Sequence, residues 1–219
     1  MFRQRLLLTF SADGDIRFLS HHDVMRVLER AVRRASLPVA SSQGFNPRPR
    51  IAILQARAVG VASDSEFVEM DFDGWVGPEN LRRTLAAQLP EGLRLLNVAL
   101  GDPTHHALVA SLEYRVDFRQ RVPFSPIDVA TLLDGPAILV SRQRKGRTKT
   151  VDLKPVLADL HLSGNSLIMK FRVTDQGSAR PEEILQALGM SIDDVHRHCA
   201  LTRTAMTLDL PSHKPQIGR

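Results

Sequence analysis

The chain has 219 residues, a length that allows one large domain or two of about 100 residues each. Its single cysteine, Cys199, excludes an intrachain disulfide and any metal site built from several cysteines, so we expect a cytoplasmic protein without a metal or cofactor. The 29 Lys and Arg against 24 Asp and Glu favour an anionic partner such as nucleic acid. No apolar stretch approaches the roughly 20 residues that span a bilayer, so we expect a soluble protein with no membrane partner.

The first elements are predicted by turn and capping residues. Asp13-Gly14 predicts a short hairpin between strands at Gln4–Phe10 and Ile16–Leu19. Ser20, with an acid three residues later at Asp23, is typical of a helix N-cap, and apolar residues at helical spacing then continue to about Ser36. A breaker-rich segment after Pro38 predicts a loop.

The rest of the pattern predicts the fold class. The first half continues with strands at 51–54 and 66–72, a helix at 78–90 and a strand at 93–100, which gives the order βαββαβ. The second half repeats this order less clearly, with strands at 113–118, 137–141, 148–153 and 201–208, helices near 126 and at 181–188, and an extra hairpin at 157–173. We therefore predict an α+β protein of two tandem ferredoxin-like domains, residues 1–106 and 107–219, each with an antiparallel sheet and helices on one face.

Positive charge is concentrated in residues 17–50. This segment holds seven arginines, no lysine and two acids, so its net charge of +5 equals that of the whole chain. Guanidinium groups pair bidentately with phosphate and stack on bases, which ammonium groups cannot do, so an arginine-only cluster favours RNA. The candidate RNA-binding residues on the predicted helix are Arg26, Arg30, Arg33 and Arg34.

The loop that follows offers a second set of RNA-binding candidates. In Gly44-Phe45-Asn46-Pro47-Arg48-Pro49-Arg50, Phe45 could stack on a base, Asn46 could hydrogen-bond to one, and Arg48 and Arg50 could hold the backbone. The alternative is that Phe45 is buried and anchors the loop to the core.

A second basic run lies between two predicted strands of the second half. With Lys154 it carries six positive charges against Asp152 alone. Such runs are commonly solvated hairpins, but they also suit a polyanion. The candidate RNA-binding residues here are Arg142, Arg144, Lys145, Arg147 and Lys149.

Few residues suggest catalysis. His21, beside Ser20 and Asp23 at the start of the first helix, is the one candidate general base, and a structural role is its alternative. The chain has no GxxxxGK[ST], GxGxxG, GxSxG or HExxH motif, and the other histidines lack metal-site spacing, so we expect no metal site.

The run FLSHHDVMRVLERAVRRASLPVASSQGFNPRPRI resembles the signature of the radical SAM-linked protein family, a strand followed by F-L-S-H-x-D, an arginine-rich helix and a G-F-N-P-x-P-R loop. VGVASDSEFVEMDF and KGRTKTVDLKPVL resemble later blocks of that family more loosely. The resemblance implies a protein that works beside a radical S-adenosylmethionine enzyme. The residues that match the signature are Ser20, His21, Asp23, Arg30, Gly44, Phe45, Asn46, Pro47 and Arg50.

Three departures from the family pattern favour binding over catalysis. His22, Gln43 and Arg48 stand where leucine, glutamate and histidine are common, so a carboxylate–histidine pair in the loop is missing. A single cysteine also excludes the three-cysteine cluster of the radical enzyme itself. We expect an accessory RNA-binding protein for tRNA or rRNA modification by a radical SAM enzyme; the alternatives are a metal-independent endoribonuclease or RNA-modifying enzyme, and an adaptor for an acidic protein.

Overall fold

The computed structural model describes residues 3–144, 146–175 and 177–209. They form a mixed α+β structure with a large, mostly antiparallel sheet and five α-helices, which confirms the α+β part of the predicted fold class. The chain divides into two compact units. Of the described residues, unit 1 comprises 3–60, 64–109 and 207–209, and unit 2 comprises 61–63 and 110–206.

Unit 1 contains two helices against one side of a sheet. β4 pairs antiparallel with β1, β1 lies beside β3, and β2 pairs antiparallel with β3. The apolar faces of both helices share one core with alternate residues of β1 and β3. The elements are β1 (Arg3–Ala12), α1 (His21–Arg34), β2 (Ile51–Ile53), β3 (Ala62–Asp73), α2 (Pro78–Ala86) and β4 (Leu93–Gly101).

Unit 2 has its own strand order, β10–β5–β9–β8, while β6 and β7 form a separate two-stranded ribbon. The first residues of β3 pair parallel with β10. The elements are β5 (Leu108–Phe118), α3 (Pro126–Asp134), β6 (Leu139–Arg144), β7 (Arg147–Asp152), β8 (Leu157–Ser163), β9 (Ser166–Arg172), α4 (Pro181–Ala187), α5 (Ile192–His198) and β10 (Cys199–Asp209).

Helix α1 begins where the capping residues predict. The Ser20 hydroxyl accepts from the Asp23 backbone N–H at 3.3 Å and donates to the Asp23 carboxylate at 2.7 Å. The buried residues of the helix, Leu28, Ala31 and Val32, share one face. The helix ends two residues before the predicted Ser36, which adopts a left-handed φ of 52°.

Two predictions about local structure are wrong, and one helix was not predicted. Residues Gly14–Phe18 form a 3-10 helix, not a hairpin strand, because the Asp13 N–H donates to the carbonyl of Gly92 (2.8 Å) and the chain turns toward the start of β4. Helix α5 was not predicted, although Ser191 caps it through the Asp194 N–H. The hairpin β8–β9 belongs to the sheet because it buries alternate apolar side chains, whereas β6 and β7 are mostly exposed and form the ribbon.

Of the helices among the described residues, none has both the length and the apolar character needed to cross a bilayer.

Candidate nucleic-acid interface

Four arginines share one face of α1, and we call them the arginine face: Arg26, Arg30, Arg33 and Arg34. At about 100° per residue they fall within an arc of roughly 100°, centred nearly opposite the buried residues Leu28, Ala31 and Val32. All four arginine side chains are exposed. The helix therefore packs on the core with one side and presents a cationic stripe to solvent with the other.

Two members of the arginine face have partners, and both partners lie at the surface. Arg26 pairs with Asp23, with Nη1 and Oδ1 3.3 Å apart, and Arg34 donates from Nη2 to the Gln88 carbonyl at 2.5 Å. In the part of the chain that the structure describes, the side chains of Arg30 and Arg33 make no hydrogen bond or ion pair. These two guanidinium groups retain all of their donors for a ligand.

Helix α2 adds two exposed arginines that were not predicted as candidates from the sequence, Arg82 and Arg83. The Arg34–Gln88 hydrogen bond joins the C-terminal end of α1 to the residues just after α2. Both helices pack into one core, so their outer surfaces are neighbours. The arginines of α2 gave no signal in the sequence because they lie outside the charge-rich segment.

The loop of residues 41–48, called here the GFNP loop, projects from a closed stem. The Ser42 N–H donates to the Arg48 carbonyl (2.8 Å), the Ser42 hydroxyl accepts from the Arg48 N–H (3.0 Å), and Ser41 forms a β-bridge with Pro49. Below these pairs, the Arg50 N–H donates to the Ala40 carbonyl at 2.7 Å. The loop is thus a short arch that the chain itself closes.

Every residue of the GFNP loop is exposed. Phe45 has 107% of its reference exposure, so the alternative that it is buried in the core is wrong. Asn46 and Arg48 are exposed on the same arch. An aromatic side chain, an amide and a guanidinium are therefore available together on one short loop.

The base of the loop is tied to the sheet through Arg50. Its Nε donates to Asp71 Oδ2 at 3.0 Å, and the same carboxylate accepts two bonds from Arg5, Nε to Oδ1 at 2.7 Å and Nη2 to Oδ2 at 3.2 Å. Arg5 is 4% exposed. One buried carboxylate therefore connects the first strand of unit 1 to the end of the GFNP loop.

Arg5 and Asp71 have shifted pKa values. The bidentate hydrogen bond to Asp71 raises the pKa of Arg5 against the opposing effect of burial. Burial by itself would raise the pKa of Asp71, but the hydrogen bonds and charges of Arg5 and then Arg50 outweigh it and lower this pKa below its usual value. The network is held fully charged at neutral pH.

A second carboxylate on the same face of β3, Glu69, holds an exposed histidine. Glu69 is 3% exposed and accepts a hydrogen bond from Nδ1 of His106 and another from the Ala107 N–H at 2.8 Å. Arg5 Nη1 lies 3.8 Å from Glu69 Oε2 and donates to the carbonyl of His105 at 3.1 Å. The segment after β4 is thereby fixed over the face of the sheet that the helices leave uncovered.

The Glu69–His106 pair was not predicted from the sequence. His106 lacks metal-site spacing, and Glu69 and His106 are 37 positions apart in the chain. The only signal was the alternation on β3, which places Glu69 and Asp71 opposite the buried Val68 and Met70. Two acids on one face of a strand indicate that each has a hydrogen-bonding or charged partner, but the sequence does not show which residues those are.

His21, the catalytic candidate, lies at a different place. Its half-buried side chain lines a small, mainly apolar cleft of about 30 Å³ beneath the start of α1. Arg57 and Glu66 also line this cleft, with Arg57 Nε and Glu66 Oε1 3.6 Å apart. Ser20 and Asp23, the expected partners of His21, are instead bonded to each other in the helix cap. The predicted arrangement of these residues for catalysis is therefore not supported.

The second basic cluster lies on the ribbon of unit 2. Arg142 has a structural role, because its Nε and Nη2 donate to the two carboxylate oxygens of Glu183 at 2.6 and 2.8 Å. That contact also raises the pKa of Arg142 above its ordinary value. Arg147 and Lys149 are exposed, and the backbone of Arg144 pairs with that of Arg147; Lys145 lies outside the described residues.

Metal ligands do not cluster in the ranges that the structure describes, where no three His, Cys, Asp or Glu side chains could hold an ion. The single cysteine is buried, and burial raises the pKa of the Cys199 thiol to about 11. A thiol with that pKa stays protonated at neutral pH, as is usual for a buried structural cysteine.

Comparison with known proteins places the chain in a family. Residues 5–181 match the model of a family described as an uncharacterized protein conserved in bacteria (DUF2344). The match covers well over half of the chain, so the protein belongs to this family. No curated protein matches the sequence. The family description states no activity, so function must be inferred from the arginine face, the GFNP loop and the residues around Asp71.

The buried network yields a prediction about stability. We expect Asp71→Asn to lower the free energy of unfolding by about 3 kcal/mol, because it leaves the buried guanidinium of Arg5 without its bidentate partner. Urea denaturation followed by circular dichroism measures this change. Asp73→Asn, at an exposed position of the same strand, should change it by less than about 0.5 kcal/mol.

The pH dependence gives a second check on Asp71. Because its folded-state pKa is lowered, its contribution is fully present above the unfolded value of about 3.9 and is lost as pH falls through the folded value. The stability difference between wild type and Asp71→Asn should therefore shrink as pH falls below about 4. A difference that stays constant down to the acid limit would contradict the assignment of this carboxylate as ionised and paired.

Proposed function

We propose that this protein binds RNA through the arginine face of α1 and the GFNP loop. The observation that carries the proposal is the geometry of α1, where four exposed arginines lie opposite the buried stripe of the same helix. Among the described residues, only Arg26 on this face has an acidic partner, Asp23 three residues before it, whereas a face stabilised by mixed charges would pair more of its arginines with acids three or four residues away. Phosphate groups, in contrast, favour repeated guanidinium groups on one surface.

The GFNP loop supplies the part of the interface that contacts bases. Phe45 offers a face for stacking, and Asn46 offers a donor and an acceptor for a base edge. Stacking of this kind needs an unpaired base, so the favoured ligand is RNA with a single-stranded loop or end next to a duplex. Transfer RNA and ribosomal RNA both have this form.

The resemblance to radical SAM-linked proteins adds a role for this binding. We infer that the protein presents its RNA to a radical SAM enzyme that carries out the modification. We also infer that each unit is a ferredoxin-like domain, because β1–α1–β2–β3–α2–β4 has the βαββαβ order, and β5–α3–β8–β9–α4–β10 has it once the ribbon and α5 are set aside. Such sheets serve many unrelated functions, so the fold adds no weight to the RNA proposal.

RNA binding should depend on salt concentration through the arginine face. Arg30→Gln with Arg33→Gln should weaken binding to bulk bacterial tRNA and reduce the slope of log K against log salt by about 0.7 to 0.9 for each phosphate that the variant no longer neutralises. Glutamine keeps the helix propensity of arginine, so the fold is retained. Electrophoretic mobility shift at several salt concentrations measures the slope.

The matched control removes the same charge elsewhere. Arg119→Gln with Arg121→Gln changes two exposed arginines of unit 2 and should leave the slope unchanged. An equal effect of both double variants would show that net charge, and not the arginine face, governs binding. Absence of any tRNA or rRNA binding by wild type at low salt would overturn the proposal, and capture of an acidic protein from nuclease-treated lysate would then favour the adaptor alternative.

The second prediction concerns base stacking. Phe45→Ala should weaken binding to the same RNA by about 1–3 kcal/mol, whereas Phe45→Tyr should retain most of the affinity. Thermal stability should not change, because the Phe45 ring is fully exposed. Trp75→Ala, at another exposed aromatic of unit 1, is the control, and a decrease in affinity there equal to that at Phe45 would indicate non-specific stacking.

The partner enzyme is tested by co-purification. The tagged protein, expressed in a bacterium that encodes it and captured after nuclease treatment, should retain an iron–sulfur protein of the radical SAM type. Retention before but not after nuclease treatment would mean that RNA bridges the two proteins. If neither sample contains such a protein, the inference of a radical SAM partner is wrong. RNA binding is tested separately and is not affected by that result.

A further inference from the structure

We propose that His106, held by Glu69, is a catalytic residue for metal-independent cleavage of RNA. The inference rests on the RNA binding proposed above and names a reaction at a site close to the stem of the GFNP loop. It depends on the contacts of the two residues with each other and on their place beside Arg5, Asp71 and Arg50.

The contact with Glu69 determines which nitrogen of His106 is available. Nδ1 faces the buried carboxylate and donates its proton to Oε2. In the neutral ring, Nε2 then has no proton and can accept one. Glu69 is buried, but 61% of the His106 side chain is exposed. The imidazole is therefore held through Nδ1, while Nε2 is accessible from solvent. A buried carboxylate that orients a histidine is the arrangement found in general-base catalysis.

A cationic group for phosphate lies on the same face of the sheet. Arg50 uses Nε to bind Asp71, and its side chain remains 37% exposed. Glu69 and Asp71 are two residues apart on β3, so the groups that they hold start about 7 Å apart on one surface. Because neighbouring acids of β3 hold His106 and Arg50, we place both side chains in one site, with Arg48 and the GFNP loop just before Arg50 in the chain.

Buried Arg5 supports both ends of this arrangement. It binds Asp71 bidentately, lies 3.8 Å from Glu69 and donates to the carbonyls of Asp102 and His105. Its contacts fix the chain segment that carries His106 relative to β3. Arg5 is buried and does not reach the surface, so it is a positioning residue and not a catalytic one.

The reaction follows from these roles. Nε2 of His106 takes the proton of a ribose 2′-hydroxyl, and the 2′-oxygen forms a bond to the adjacent phosphorus while the guanidinium of Arg50 stabilises the phosphoryl charge. The bond from phosphorus to the 5′-oxygen breaks, and that oxygen takes a proton from water. The imidazolium returns its proton to the hydroxide left behind. The products are a 2′,3′-cyclic phosphate and a 5′-hydroxyl, and no metal or oxidant is consumed.

The test uses the full-length protein with purified total bacterial RNA in EDTA. We expect discrete fragments that end in 2′,3′-cyclic phosphate, and a rate that falls by at least 100-fold in His106→Asn. The asparagine amide can take the place of Nδ1 and still donate to Glu69, so the fold is kept while Nε2 is removed. His161→Asn, at an exposed histidine of unit 2 whose Nδ1 lies 3.0 Å from Asp159 Oδ2, is the control and should keep the wild-type rate.

Chemical rescue separates proton transfer from structural support. Addition of imidazole should restore cleavage by His106→Gly, which a merely structural histidine would not allow. Affinity for tRNA, measured by mobility shift on the same preparations, should change by less than threefold in both variants. Equal cleavage by wild type and His106→Asn would indicate a contaminating ribonuclease and would overturn the proposal.

The outcomes distinguish this inference from the proposed function. Wild-type protein that binds RNA but releases no fragments overturns the catalytic role and leaves RNA binding intact. Protein that neither binds nor cleaves overturns both. Cleavage that persists on RNA with a 2′-deoxy residue at the cut position would overturn the mechanism, because the attacking oxygen would be absent.

Discussion

The bidentate contact of Arg5 with Asp71 is the constraint on which the arrangement of unit 1 depends. A guanidinium and a carboxylate withdrawn from water are tolerated only when each satisfies the other, so β1 and β3 must keep one register for the contact to form. The Asp71 carboxylate also accepts a hydrogen bond from Arg50, and the Arg5 guanidinium donates to the carbonyl of His105, which follows β4. The base of the GFNP loop and the position of His106 are therefore both fixed by one pair of buried charges.

This constraint separates the two faces of the sheet in unit 1. On one face, apolar side chains of β1 and β3 pack against α1 and α2, and the helices turn their arginines outward. On the other face, Glu69 and Asp71 replace apolar contacts with hydrogen bonds to side chains and backbone. The charge concentrated in residues 17–50 thus has two uses: Arg50 completes a buried network, whereas Arg30, Arg33 and Arg48 face solvent.

Local structure was predictable where a few neighbouring residues decide it. The cap formed by Ser20 and Asp23 and the apolar period of α1 predicted that helix to within two residues, and breakers predicted the GFNP loop. Predictions failed where residues distant in the sequence determine the local structure. Asp13-Gly14 forms no hairpin because the Asp13 N–H donates to the Gly92 carbonyl. The hairpin β8–β9 joins the sheet, and β6–β7 does not, because alternate side chains of β8–β9 are buried in a core.

The sequence by itself determined the α+β class, the amphipathic character of α1, the arginines opposite its core stripe and the breaker-rich loop, because periodicity and turn chemistry act over a few residues. Only the tertiary structure decided that Phe45 is exposed, that Asp71 ties the loop to Arg5 across 66 positions, and that Glu69 holds His106 across 37. Those pairings depend on strand register and on how the chain segment after β4 packs over one face of the sheet. Neither produces a periodic pattern in the sequence.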